Sequence, residues 1–176
     1  MNASSNRFLS HRVSSLFSRI LLLSTFCGGS LNAADKIDIR IGGHHYTAYR
    51  TVDLEKAKGE AREKKQALAW IASDPKALQN DGRITGKGSR AGTSHAFAAL
   101  GDRAVLVFMD AFAENHQCPK IVDEALHTPN PHYTPPTVVL LDAEMSKVLG
   151  VVIYDPDFET RKESFKRAIL ELEPKK

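Results

Sequence analysis

Two runs of apolar residues, uninterrupted by polar ones, constrain the fold most strongly. They read ALAWIA at residues 67–72 and AVLVFM at residues 104–109. A strand with one solvent-exposed face alternates between apolar and polar residues, so unbroken apolar runs predict strands that are buried on both faces. Such strands occur in sheets that helices cover on both sides, which indicates an α/β fold.

The segments between these strands carry helix signals. Residues 53–66 are rich in Lys, Glu and Ala, and Asp53 is a suitable N-cap. Further helices are predicted to begin at Thr93 or Ser94, at Cys118-Pro119 and at Asp157. In the last of these, Phe158 and Phe165 belong to an apolar stripe that we expect to face the core.

Two hairpins complete the set of strands. In the first, Gly42-Gly43 forms the turn between predicted strands at residues 36–41 and 44–49. The second lies within residues 132–155 and turns at residues 143–146. Strands separated by helices require parallel crossovers, whereas the tight final turn requires an antiparallel pair. The sequence therefore predicts a mixed sheet with helices on both faces.

Residues 79–92, QNDGRITGKGSRAG, contain four glycines and no core-forming periodicity. We expect a long mobile loop here. Gly82–Ser89 resembles a phosphate-binding loop superficially, but the spacing of its glycines and Gly88 after the lysine depart from that pattern.

Residues 1–33 are predicted to be a secretory signal peptide. Three arginines and no acid precede the apolar run ILLLSTFC, and small residues follow it. The run is shorter than the roughly 20 residues that span a bilayer. We expect cleavage after Ala33 or Ala34 and a periplasmic or secreted product. A membrane anchor or a buried N-terminal helix is the alternative.

Loss of this leader would leave a hairpin extension at residues 34–48 and one domain at residues 49–176. The chain has 24 Lys+Arg against 21 Asp+Glu, and the excess is the leader's three arginines. The rest of the chain has no net charge, which gives no reason to expect a nucleic-acid partner. We also expect no association with a membrane after the leader is removed. Cys27 would leave with the leader, so Cys118 would have no internal disulfide partner.

Two stretches make the chain resemble the thioredoxin-like family over roughly residues 49–172. TPPTVV at residues 134–139 is similar to that family's loop in which a cis proline precedes the fourth strand. VDLEKAKGEAREKKQALAWIAS at residues 52–73 resembles the helix and central strand of exported members. The resemblance implies a thioredoxin-like mixed sheet with flanking helices, and it implies that Pro136 is the cis residue.

The family's chemistry requires a Cys-x-x-Cys where the central strand ends and the next helix opens. This chain has Ser73-Asp74-Pro75-Lys76 there. In a rival alignment, Cys118 would be catalytic. Only 17 residues separate Cys118 from Pro136, however, and they are too few for the helix, strand and helix that the family places between those points. Cys118 is therefore placed on the third helix, which it opens together with Pro119.

Other candidate sites are incomplete. His116 and Cys118 lack the spacing of zinc ligands, and we predict neither a metal nor a cofactor. Ser73 could act as a nucleophile only with a base such as His95, and no further member of a triad is evident. No complete catalytic set is present, so an enzymatic role is not predicted.

We expect an exported binding module without dithiol chemistry. Its cleft would be formed by residues 73–76, the 79–92 loop and Thr134, Pro135 and Pro136, because the resemblance implies that an extended peptide or partner protein pairs beside the cis proline. The alternative is a single-cysteine thiol protein that acts through Cys118. A structural subunit of an exported complex is a third possibility.

Overall fold

The computed structural model describes residues 36–41, 43–74, 89–113, 118–128 and 134–172. Six strands form one mixed sheet in the order β1-β2-β4-β3-β5-β6. In chain order the strands are β1 (Lys36–Ile41), β2 (His44–Arg50), β3 (Ala67–Ser73), β4 (Ala104–Asp110), β5 (Thr137–Leu141) and β6 (Val148–Val152). The predicted leader at residues 1–33 lies outside the described residues.

Four α-helices accompany the sheet, and a short 3-10 turn at Thr51–Asp53 precedes the first. The helices are α1 (Leu54–Lys64), α2 (Ser89–Leu100), α3 (Lys120–His127) and α4 (Phe158–Leu172). Their positions between the strands confirm the predicted α/β element order.

The centre of the sheet is parallel and its flanks are antiparallel. β4 runs parallel to both β2 and β3, while β5 runs antiparallel to β3 and to β6. β1 and β2 form the N-terminal hairpin, in which Gly43 has φ +84°. Glycine is favoured at such an angle because it has no Cβ. This topology is consistent with a thioredoxin-like fold.

Two separate cores lie on the two faces of the sheet. One joins α2 and α4 to the sheet through Phe97, Leu100 and Phe165, and the other joins α1 and α3 to it through Ala57 and Val122. The two apolar runs in β3 and β4 are buried almost throughout, as predicted, because each contributes side chains to both cores.

The second helix begins earlier than predicted. The predicted loop at residues 79–92 lies largely outside the described residues, but residues 89–92 are the first turn of α2. Gly92 is weakly helix-forming, yet it is buried against other elements, and this packing outweighs its propensity.

Two details of the other helices also differ from the prediction. α3 begins at Lys120, so Cys118 precedes the helix, and Pro119 is its extended N-cap with φ −60° and ψ 143°. Phe158 does not face the core but is 55% exposed, because it opens α4 beyond the end of the sheet. Asp157 caps α4 as predicted, since its Oδ2 accepts a hydrogen bond from the Thr160 amide at 2.7 Å.

Candidate functional site

The candidate site lies at the end of the sheet where β3 and β4 finish and β5 begins. Ser73 pairs with Asp110 on β4, and its neighbour Ala72 pairs with Thr137 on β5. β2 and β6 also finish at this end, because β2 is parallel to β4 and β6 is antiparallel to β5. We call this the cis-proline end.

Ser73 is buried at the position where the resemblance would place the first cysteine. Its side chain lies 2.6 Å from the Thr93 hydroxyl on α2, and the two residues are 1% and 0% exposed. This bond joins β3 to α2 and occupies the Ser73 hydroxyl. Asp74 is half-buried, whereas Pro75 and Lys76 lie outside the described residues.

The Pro135–Pro136 peptide bond is cis. Pro136 is buried, and its ring lies against Gly92 in the first turn of α2. A Cβ at Gly92 would come within 2.8 Å of Pro136 Cγ and within 2.7 Å of Tyr154 Cδ2. Only glycine permits this close approach of α2 to the proline loop and to the end of β6.

The rest of the proline loop is more accessible. Thr134 is exposed and Pro135 is half-buried. The Thr134 carbonyl accepts a hydrogen bond from Thr137 Oγ1 at 3.1 Å. Pro135, the residue before the cis bond, has no amide N–H. An extended peptide beside it could therefore use the Pro135 carbonyl but could not receive a hydrogen bond from its nitrogen.

An aromatic cluster between α2 and α4 was not predicted as a group. The His95 ring lies 5.3 Å from the Phe158 ring and 5.0 Å from the Phe165 ring, centroid to centroid. Burial lowers the pKa of His95, and the nearby Arg161 and Lys162 lower it further. His95 Nδ1 is buried and has no hydrogen-bond partner. The surroundings of His95 therefore favour its neutral form, and the Ser73 hydroxyl pairs with Thr93 instead.

Arg161 fixes the start of α4 beside this cluster. It is 6% exposed, and its Nη1 donates to the carbonyls of Asp155 and Pro156. Its guanidinium also lies 5.6 Å from the Tyr154 ring centroid, a cation–π distance. A cavity of only about 10 Å³ remains between Arg161, Tyr154 and Pro136, so the interior behind the proline loop is filled.

Exposed apolar side chains concentrate at the cis-proline end. Among the described residues, five large hydrophobic residues are exposed, and four of them follow strands that finish at this end. These four are Val52 after β2, Phe112 after β4, and Ile153 and Phe158 after β6, with exposures of 70%, 64%, 38% and 55%. The fifth, Leu170, lies about 18 Å further along α4 than Phe158.

Cys118 lies at the same end and is half-buried. It lines a surface cavity of about 690 Å³ together with Pro119 and residues 51–56. Burial raises the pKa of its thiol to about 11, and Asp123 adds to the effect. The thiolate form is therefore disfavoured near neutral pH.

A charged cluster lies beside the β1–β2 hairpin, on the face of the sheet that α1 covers. Glu60 is 7% exposed and accepts hydrogen bonds from Tyr49 at 2.5 Å and from Lys36 and Lys64 at 2.6 Å each. Burial raises the pKa of Glu60, but the bonds from the two lysines and Tyr49 outweigh it and lower the pKa to about 2. The carboxylate is thus saturated by side chains from β1, β2 and α1, which indicates a structural role.

The described part of the chain contains no group of three or more His, Cys, Asp or Glu residues arranged to hold a metal ion. Within that same part, the helices are all too short or too polar to cross a bilayer. His116, considered above as a zinc ligand, lies outside the described residues.

Comparison with known proteins gives little further guidance. No family model matches the chain, and no curated protein matches it. One solved structure, described as "DsbH Oxidoreductase", is similar with a TM-score of 0.39 and 15% sequence identity, covering 78% of this chain and 89% of that chain. Similarity at this level assigns neither family nor activity.

Proposed function

We propose that this protein is an exported binding module that holds a peptide or protein partner at the cis-proline end and performs no dithiol redox chemistry. The observation that carries the proposal is the position of the exposed apolar side chains. Four of the five among the described residues lie at the end where Pro136 meets α2. Exposed hydrophobic groups gathered on one part of a surface are typical of interaction sites.

The chemistry of the proline loop supports a partner held mainly through its side chains. Because Pro135 lacks an N–H, pairing with an extended strand would lose one of its two hydrogen bonds at this position. Phe112 and Phe158 can supply the missing affinity, since aromatic anchors contribute strongly to binding. The expected partner is therefore an extended segment with apolar or aromatic side chains.

The absence of dithiol chemistry is proposed from the residues in the family's reactive position. Ser73 is bonded to Thr93, and neither residue can form a disulfide. The alternative that acts through Cys118 is less favoured, because burial holds that thiol protonated near neutral pH.

The proposal is tested with an immobilised library of short, cysteine-free peptides of random sequence. We expect the protein to retain peptides that contain aromatic or large aliphatic residues. Replacing Phe112 and Phe158 by Ser should lower the affinity for retained peptides at least about tenfold. Leu170→Ser is the matched control, since it removes an equally exposed apolar side chain away from the site. Equal losses in both variants, or no peptide retained at all, would reject the proposal.

A further inference from the structure

A titratable ring lies in contact with one of the exposed side chains of the proposed peptide site. Phe158 is 55% exposed, and the His95 ring is stacked on it with an angle of 22° between the two planes. His95 also packs against Phe165, which is only 4% exposed. His95 therefore links the core between α2 and α4 to a side chain that a partner would contact.

The residues of α4 offer no compensation for a positive charge on this imidazole. Its Nδ1 is buried without a hydrogen-bond partner. The charges of α4 that act on His95 are those of Arg161 and Lys162, and both are positive. The nearby carboxylates are already engaged, since Asp157 caps α4 and Glu159 forms an ion pair of 3.4 Å with Lys162.

The sheet beneath α2 offers no compensation either. α2 packs on β3 and β4, whose side chains facing it are apolar until the strands end at Ser73 and Asp110. Ser73 is neutral, and the Asp110 carboxylate accepts a hydrogen bond from the Phe112 amide at 2.8 Å. In the described part of the chain, the charges that act on His95 are thus both positive, and they would repel a proton on it.

A partner that covers Phe158 would make this repulsion stronger. It would remove water from the stacked rings, and water is what weakens the repulsion between like charges at a surface. Protonated His95 would then be disfavoured more in the complex than in the free protein. A group that must stay unprotonated for binding makes the affinity fall as the pH falls.

We infer that partner binding at the cis-proline end requires unprotonated His95, so that mild acid releases the partner. The inference rests on the proposed function, because it concerns the regulation of the same surface. It makes His95 a pH sensor that touches the partner site through Phe158. Since one proton is involved, the affinity should fall by at most about tenfold for each pH unit.

The test is the affinity for a retained peptide that lacks Asp, Glu, His and Cys, measured by fluorescence anisotropy at about pH 7.5 and about pH 5.5. We expect the Kd of the wild-type protein to be at least about threefold higher at the lower pH. His95→Phe keeps a ring for stacking but cannot bind a proton, so it should lose this pH dependence. Lys162→Gln should weaken the pH dependence, because it removes one of the two cations.

His45→Phe is the matched control. It makes the same substitution at an exposed histidine near the start of β2, away from the cis-proline end, and it should keep the wild-type ratio of the two affinities. The ring resonances of His95 in the wild-type protein give a second readout that needs no variant. We expect the NMR titration midpoint of His95 to move to lower pH when the peptide is bound.

The outcomes separate this inference from the proposed function. A peptide that binds equally well at both pH values overturns the inference and leaves the proposed function standing. So does a pH dependence that His95→Phe retains, or a His95 midpoint that the peptide does not move. A protein that binds no peptide at either pH rejects the proposed function and the inference with it.

Discussion

The hydroxyl groups of Ser73 and Thr93 lie 2.6 Å apart, fully buried, where β3 meets α2. The resemblance in sequence to the thioredoxin-like family assigns the first cysteine of that family to this position. In this protein the bond fastens α2 to the central strand β3.

The energetic coupling of these two hydroxyls can be measured directly. Ser73→Ala and Thr93→Val should each lower the free energy of unfolding by about 1–2 kcal/mol, because each removes one partner of a buried hydrogen bond. The double variant should lose less than the sum, since both single changes break the same bond. Urea unfolding of the four proteins provides the cycle, and strictly additive losses would show that the bond contributes nothing.

Gly92→Ala tests the contact between α2 and the proline loop. The added methyl group would lie within 3 Å of both Pro136 and Tyr154, and we expect a loss of about 1–3 kcal/mol in stability. Gly59→Ala is the control, because the Cβ there meets nothing within 4 Å and alanine is the better helix former. A gain in stability for Gly59→Ala beside an unchanged Gly92→Ala protein would refute the close contact.

His95 should make stability depend on pH just below neutrality. Its pKa is lowered in the folded protein, so the unfolded chain binds a proton first as the pH falls through the ordinary histidine pKa of 6.5. Stability should therefore decrease from about pH 7 towards the lower folded pKa and then level off. Thermal unfolding of wild type and His95→Phe across this range gives the comparison, and parallel curves would exclude a contribution from His95.

Glu60 acts in a separate, more acidic range. Its pKa falls from 4.5 to about 2 on folding, so its stabilising effect is complete above pH 4.5 and is lost as the pH falls towards 2. Glu60→Gln should be less stable than wild type at neutral pH, and the difference should shrink across that interval. Denaturant midpoints measured from pH 6 to pH 2 would show this convergence, and a constant difference would argue against the charged cluster.

The element order could be predicted from the sequence because its signals are local. The apolar runs of β3 and β4 are contiguous, and Asp157 lies at the cap of its own helix. The start of α2 was not predictable in the same way. Gly92 is helical there through contacts with Pro136 and Tyr154, which lie more than 40 residues away in the sequence.

The same distinction applies to the candidate site. A proline pair before a strand is a visible motif, and its neighbours Ser73 and Asp74 could be named from the resemblance. The stacking of His95 on Phe158 could not be predicted in this way. The helical periodicity of the sequence assigned Phe158 to the face of α4 that packs on the core. The gathering of exposed apolar residues at one end also depends on the sheet topology, because Val52, Phe112 and Ile153 follow three separate strands that finish at the same end of the sheet.

The central claim is that partner binding uses the cis-proline end and needs no thiol. The most direct test is the affinity for the same cysteine-free peptide, measured by fluorescence anisotropy, in the Cys118→Ser protein and in the protein with Phe112 and Phe158 both changed to Ser. We predict that Cys118→Ser binds as wild type does, while the double variant loses at least about tenfold in affinity. Loss of binding in Cys118→Ser with full binding in the double variant would contradict the claim and place the function at the thiol.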